Sequence, residues 1–419
     1  MLSEDLPATL PRIPRIPRAP QIGHTPPPSL ARRITRQMIQ HRALVIPVAI
    51  ALLSRAIVLV AADLIMRFAL VNRHSYVEQY TGPISIWQRK DAIWYVAIAQ
   101  SGYNYSPVAA SRVNFFPLFP LLVHIVEPVF AIFPLSDPYV EAGMLVTWVA
   151  FALACVGLYR LAAERFGERV AVMSVLLLAL FPFSLYYGAV YSESIYLLLA
   201  VWTFIAIERR NWWMAGALAG LAGASRPPGL LVGACLGLAY LIDWYRMRRP
   251  LRFDILALAL APAGTAAYML YCWVRWGDPL AYVKTSHAGW GGGHLQFGAV
   301  RFAANLLRHP TSILAGGRQT EIDVVALLLM FCFLALSVLV LRLLGPTYAF
   351  FVVASILTPV LDVPTVNGFG RYLSVVFPVF IVVAYLLRGR PWVAACLSVV
   401  SGVLLIIFAA WFIGGYGLS

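Results

Sequence analysis

Apolar runs of 15 to 25 residues, separated by short charged or Pro/Gly-rich breaks, recur from residue 43 to the carboxyl terminus. A hydrocarbon core about 30 Å thick takes roughly 20 apolar residues of helix to cross, and backbone polar groups inside it must be paired within the segment. The chain is therefore read as all-α, a polytopic transmembrane helical protein. Eleven candidate spans lie near 43–66, 141–160, 170–188, 192–208, 211–224, 229–244, 254–275, 321–342, 347–361, 372–387 and 391–413. Several fall short of a full crossing, so partial, tilted or jointed spans are expected among them.

The chain is 61% hydrophobic and 12% charged, and its charge balance reinforces this reading. In a soluble protein the net charge of +14 would point to nucleic acid; here much of it sits in short breaks between apolar runs, where Arg clusters act as topology signals. No nucleic-acid partner is expected. Arg32, Arg33, Arg36 and Arg42 precede the first run, and Arg209, Arg210, Arg246, Arg248, Arg249, Arg252, Arg342, Arg388 and Arg390 mark later breaks. All are cytoplasmic if Asn114 to Leu135, with four prolines, His124 and Glu127, lies in the interface rather than crossing. The amino terminus is then inside and the carboxyl terminus outside. The external face receives residues 67–140, 191–194, 225–229, 276–320 and 361–372, so ionisable groups that are costly in lipid converge there.

Residues 1–42, with "PRIPRIPRAP" and "GHTPPP", read as a disordered Pro/Arg-rich cytoplasmic arm, and 43–419 as one transmembrane domain. The five cysteines show no CxxC spacing, so neither a disulfide framework nor a structural zinc is expected. The sequence contains no GxGxxG, Walker loop or DxD motif, and no external stretch long enough for a nucleotide-binding domain.

Against that apolar background a few polar residues stand out. In "WQRKDAIWYVAIAQSGY" Asp91, Trp94, Tyr95 and Ile98 share one helical face, as on a helix at the outer membrane surface with its acid at the water boundary. Local pattern leaves two roles open for Asp91: capping that helix while pairing with Arg89 or Lys90, or chemistry. Glu193 sits in the tight "YSES" turn, where a helix dipole alone would favour an acid. Arg226 in "SRPPG" and Arg371 in "NGFGRY" are cations wanting an anion, a protein carboxylate or a lipid phosphate, unless they snorkel to the surface. The loop Trp276 to Gly298 carries Lys284, His287, Trp290 and His294; its composition suits a mobile cover with an aromatic platform better than a metal site. Asp63 and Arg67, four residues apart, are expected to neutralise each other.

Taken in order, "RKDAIWYVAIAQSGY", "FFPLFPLL", "YSESIYLLL", "SRPPGLL", "WGDPLAYV" with Trp290, and "GRYLSVVFP" resemble the bacterial branch of the PIG-V-like mannosyltransferases, members of the GT-C superfamily of polytopic glycosyltransferases. The resemblance runs from about residue 43 to the end. It implies a bacterial cytoplasmic-membrane enzyme that moves a mannosyl or other hexosyl unit from a polyprenyl-phosphate sugar to an acceptor hydroxyl on the external face, with inversion. The acceptor, whether glycan, lipid or protein, is left open. By the same resemblance Asp91 is the candidate catalytic base and Glu193 a second catalytic acid. Arg226, Arg371 and Lys90 are candidate donor-phosphate ligands, and Trp94, Tyr95, Trp290 and His287 line the substrate loop. The family more often has Arg-Trp-Asp where this chain has Arg89-Lys90-Asp91. No cofactor is required by this chemistry, and the sequence gives no support for a divalent metal. A polytopic transporter or flippase of a lipid-linked sugar is the rival reading, since many spans with buried charges suit translocation too.

Overall fold

The computed structural model describes residues 30–65, 84–133, 137–247, 253–291, 295–311, 317–362, 366 and 368–414. The expected disordered arm falls largely outside them. Contacts divide the chain into Met1–Arg42 and Ala43–Ser419. No β-strand occurs among the described residues.

The helices run in chain order as α1 (Leu30–Ile65), α2 (Asp91–Ser101), α3 (Leu118–Ala131), α4 (Pro138–Phe166), α5 (Glu168–Ala179), α6 (Glu193–Glu208), α7 (Trp212–Ser225) and α8 (Gly229–Met247). A 3₁₀ segment, Phe253–Leu260, leads into α9 (Ala263–Trp276), followed by α10 (Ala281–Trp290), α11 (Gly298–Arg308), α12 (Gly317–Leu343) and α13 (Pro346–Asp362). The last three are α14 (Phe369–Ser374), α15 (Phe377–Leu387) and α16 (Pro391–Ile413).

Each of the eleven apolar runs coincides with helix, yet among the described residues only five helices are long and apolar enough to cross a membrane: His41–Ile65 within α1, α4, α8, Gln319–Leu343 within α12, and α16. A sixth span exists if Phe253–Leu260 and α9, bent by 48° at their joint, count as one. The other runs are either interrupted or short. The run at 170–188, for example, stops at Ala179, and after Pro182 the chain turns through a 3₁₀ segment at Ser184–Tyr187. At 1.5 Å per residue the 16 residues of α6 reach about 24 Å, short of the ~30 Å core.

Helix α4 is the central post: 72% of its apolar window is buried, against 28–33% for the other four long spans. It packs on α3, α5 and α6. Helix α3 is 14 residues long with Pro128 inside, burying Phe119 and Val123 while leaving Leu121, Ile125 and Val129 exposed in an i, i+4 stripe. At 14 residues α3 is too short to cross a ~30 Å hydrocarbon core as a single helix.

Deep in α1 lies an arginine that the sequence reading did not single out. Arg55 is fully buried and donates to the carbonyls of Ala179, at 2.5 Å, and Ser184, and to the Ser184 hydroxyl at 3.1 Å. Its guanidinium also lies 5.2 Å from the Phe151 ring centroid. The end of α5 leaves carbonyls without intrahelical partners and carries the negative end of the helix dipole, so a cation is the natural plug. Arg55 thereby fixes the break between α5 and the turn that leads into Glu193. Of the expected Asp63–Arg67 pair, Arg67 lies outside the described residues.

Candidate active site

Four ionisable side chains, drawn from positions as far apart as 91 and 371, meet in one cluster. Asp91 is the first residue of α2, behind Lys90, whose φ of 54° is a positive value that non-glycine residues rarely adopt. Its side chain does not cap the helix; Oδ2 pairs with the Arg371 guanidinium. Glu193 opens α6 and is 1% exposed; its Oε1 lies 2.5 Å from Arg226 Nη1 and 3.0 Å from Arg371 Nε. Arg371 thus bridges the two acids, and Glu193 bridges the two guanidiniums. Both guanidinium carbons stand 5.6 Å from the Tyr372 ring centroid, and that of Arg371 lies 5.8 Å from the ring of Tyr191.

Local sequence sets each of these positions. Arg226 precedes Pro227, which forbids α conformation, so α7 ends there with Arg226 extended at φ −162° and ψ 153°. Gly368, at φ 78°, turns the chain into α14. At Gly370 a β-carbon would sit 2.1 Å from the Phe183 ring, so only glycine lets the backbone beside Arg371 come so close. The "YSES" turn is tied to α2 twice: the Asp91 N–H donates to the Tyr191 hydroxyl at 3.3 Å, which donates to the Arg89 carbonyl at 3.2 Å, and the Tyr95 and Ser192 hydroxyls are 2.8 Å apart. Burial pushes the Tyr95 phenol well up, so it remains a hydroxyl.

An aromatic wall adjoins the cluster. Trp94, one turn along α2 from Asp91, stacks on Phe115 with centroids 5.8 Å apart and meets the edge of Trp290 at 5.7 Å. Phe115 comes from "FFPLFPLL" and Trp290 from the end of α10, so three sequence motifs build one surface. Helix α10 is held to the loop between α2 and α3 by Thr285, which donates to the Ser106 carbonyl and lies 3.1 Å from the Ser111 hydroxyl. Asp278 adds a latch, 2.7 Å from both Lys284 Nζ and the Tyr105 hydroxyl. Lys284 holds the Asp278 carboxyl below the usual range, and burial together with Asp278 pushes Tyr105 up to about 12.

Beside Arg226 opens a small pocket, lined among others by Tyr196, Pro228, Ser355, Tyr372 and Val375. Its walls come from α6, α13, α14 and the chain that follows α7 and α14. Arg226 is the charged group among its lining residues, and a guanidinium there is suited to pair with an anion.

The sequence-derived candidates thus divide. Asp91, Glu193, Arg226 and Arg371 converge; Trp94 and Trp290 form the wall, and Tyr95 is the buried tether. Lys90 stands exposed, outside the ionic cluster. His287 lies exposed on α10 three residues before Trp290, and His294 falls outside the described residues. Among the described residues no group of three or more His, Cys, Asp or Glu side chains is arranged to hold a metal ion. Sequence reading missed Tyr191 and Ser192 as tethers, although both stand in the "YSES" motif it had marked.

Comparison with known proteins places this arrangement. Residues 32–248, more than half of the chain, match the family described as mannosyltransferase (PIG-V). The chain belongs to the PIG-V mannosyltransferase family. The matched span holds Asp91, Glu193 and Arg226 and ends before Trp290 and Arg371. This PIG-V family member is 26% identical to GPI alpha-1,6-mannosyltransferase 2 of Cricetulus griseus and 25% identical to that of Mus musculus, over 57% of each chain in both cases. It therefore spans little more than half the length of these relatives. Among solved structures it is similar to the apo oligosaccharyltransferase of Archaeoglobus fulgidus, with 13% identity, a TM-score of 0.47 and coverage of 88% of this chain and 56% of that one. ArnT from Cupriavidus metallidurans bound to undecaprenyl phosphate gives 16% identity, a TM-score of 0.47 and coverage of 80% and 60%. The family and the long apolar helices make this PIG-V family member an integral membrane protein.

Proposed function

We propose that the protein is a membrane glycosyltransferase that moves a mannosyl unit from a polyprenyl-phosphate sugar to an acceptor hydroxyl at the external face of the bacterial cytoplasmic membrane. The observation that carries this reading is the convergence of Asp91, Glu193, Arg226 and Arg371 beside a small pocket and an aromatic wall. The GPI mannosyltransferase relatives support the sugar, and ArnT, solved with undecaprenyl phosphate, is in keeping with a lipid-linked donor.

The chemistry balances with these groups. Asp91 takes the acceptor hydroxyl proton as its oxygen attacks the anomeric carbon; the bond from that carbon to the phosphate oxygen breaks with its electron pair, leaving polyprenyl phosphate. Attack opposite the leaving phosphate inverts the anomeric configuration. Phosphate leaves without a general acid, and its growing charge is met by preorganised guanidiniums, Arg226 at the pocket and Arg371 next to it. Glu193 holds both in place. Two guanidiniums supply the positive charge that a metal would otherwise bring, so no cofactor enters this reading. The wall of Trp94, Phe115 and Trp290 offers the apolar faces that sugar rings stack on, and Lys90 lies near enough in sequence to Asp91 to steer an anionic lipid head.

The test incubates purified protein in vesicles with radiolabelled polyprenyl-phosphate mannose and membrane extract, then fractionates lipid, glycan and protein. Label leaving the donor for a new acceptor, with polyprenyl phosphate released, is the expected result, and the labelled fraction names the acceptor class. Intact sugar lipid crossing the bilayer without loss of its sugar would instead identify a flippase. In the same assay Arg226→Ala should raise the donor concentration needed for half-maximal rate more than that of the acceptor.

A further inference from the structure

Resting on the donor reading above, the ionic cluster has a consequence for the order of events. Both guanidiniums are already committed to carboxylates: Arg226 to Glu193, and Arg371 to Glu193 and Asp91. A phosphodiester brings a further negative charge and can bind only by taking over part of one guanidinium. Which carboxylate yields follows from burial. The Glu193 side chain is 1% exposed and held by two arginines, whereas that of Asp91 is 20% exposed and held by Arg371. Displacing Glu193 would strand an unpaired charge in the protein interior, the more expensive exchange; Asp91 can turn to solvent and acceptor instead.

We infer that the donor phosphate displaces Asp91 from Arg371, so that donor binding itself releases the catalytic carboxylate and the reaction proceeds donor first. Before the donor arrives, Asp91 Oδ2 is engaged by Arg371 and the carboxylate is held toward that guanidinium. Once the phosphate replaces it, the carboxylate, already 20% exposed, is free to turn toward an acceptor hydroxyl. The same exchange keeps the base occupied when no sugar is present to be transferred.

The distinguishing experiment measures binding, not turnover. Polyprenyl phosphate is titrated into wild-type protein and into Asp91→Asn, with thermal unfolding as a check that the variant is folded. Removing the competing carboxylate should tighten binding roughly tenfold, equivalent to about 1.4 kcal/mol. A carboxylate that merely shaped the site, or that contacted the lipid directly, would leave the affinity equal or weaken it, and either result overturns the inference while leaving the donor class intact. Failure of the wild type to bind polyprenyl phosphate at all would overturn the donor reading and this inference with it. Should Asp91→Asn fail to fold, Asp91→Ser removes the same charge with a smaller side chain and is held to the same criterion.

Discussion

Glu193→Gln probes the keystone of the cluster. The carboxylate is 1% exposed and neutralises Arg226 at 2.5 Å and Arg371 at 3.0 Å. Its loss leaves Arg226, whose side chain is 9% exposed, without its counter-ion, while Arg371 keeps Asp91. Breaking a buried pair by removing one partner costs about 3–5 kcal/mol, because the other charge stays buried and unpaired. Removing both partners avoids that penalty, so Glu193→Gln combined with Arg226→Met should recover at least ~1.5 kcal/mol relative to the sum of the single losses, in the range measured for coupled neighbours. Thermal unfolding in detergent of the wild type, the two single variants and the double variant supplies the four corners of the cycle. Single losses that add to within ~0.5 kcal/mol would refute the reasoning, since they would mean that neither charge depends on the other.

Gly370→Ala forces a β-carbon to within 2.1 Å of the Phe183 ring; overpacking of this kind costs about 1–3 kcal/mol, and thermal unfolding should show a loss while Gly389→Ala, with nothing within 4 Å, should not. Trp290→Ala removes one face of the aromatic wall and should raise the acceptor KM with little change in donor KM, measured in the transfer assay. The Asp278 carboxyl is depressed in the folded protein by Lys284, so the latch contributes above the unfolded value of about 3.9 and is lost as pH falls through the lower folded value. Hydrogen exchange across α10 should therefore be faster in Asp278→Asn than in wild type at pH 7, and the two should converge once the pH falls below the depressed folded value. With the Lys284 side chain 57% exposed, the difference should stay below about 1 kcal/mol.

How much of this was legible in the chain depends on the range over which each feature is decided. The helices follow from local composition, as does the end of α7 at Arg226, where the following proline disfavours helical backbone. The gathering of "RKD", "YSES", "SRPPG" and "GRY" on one face followed from counting spans against Arg clusters. The pairings were not legible. Asp91 had near partners in Arg89 and Lys90, and local reasoning offers a cap or a neighbouring ion pair; the structure gives it Arg371, 280 residues away. Arg55 was passed over because a single arginine inside an apolar run reads as a flaw in a span until α5 is seen to end beside it. The number of full-length spans differed for a similar reason. Hydropathy registers the runs at 170–188 and 372–387 as continuous, while Pro182 and the turn ahead of Pro378 break their helices, and those breaks set Arg371 and Glu193 where they meet.

The most direct test of the account is sugar transfer from polyprenyl-phosphate mannose by wild type and Asp91→Asn, compared at saturating donor and equal membrane insertion. Loss of a general base predicts a fall in rate of at least ~10²-fold, with the variant still binding polyprenyl phosphate. Transfer at the wild-type rate by a correctly inserted Asp91→Asn protein would contradict it, and would remove Asp91 from the chemistry that the whole cluster has been read to serve.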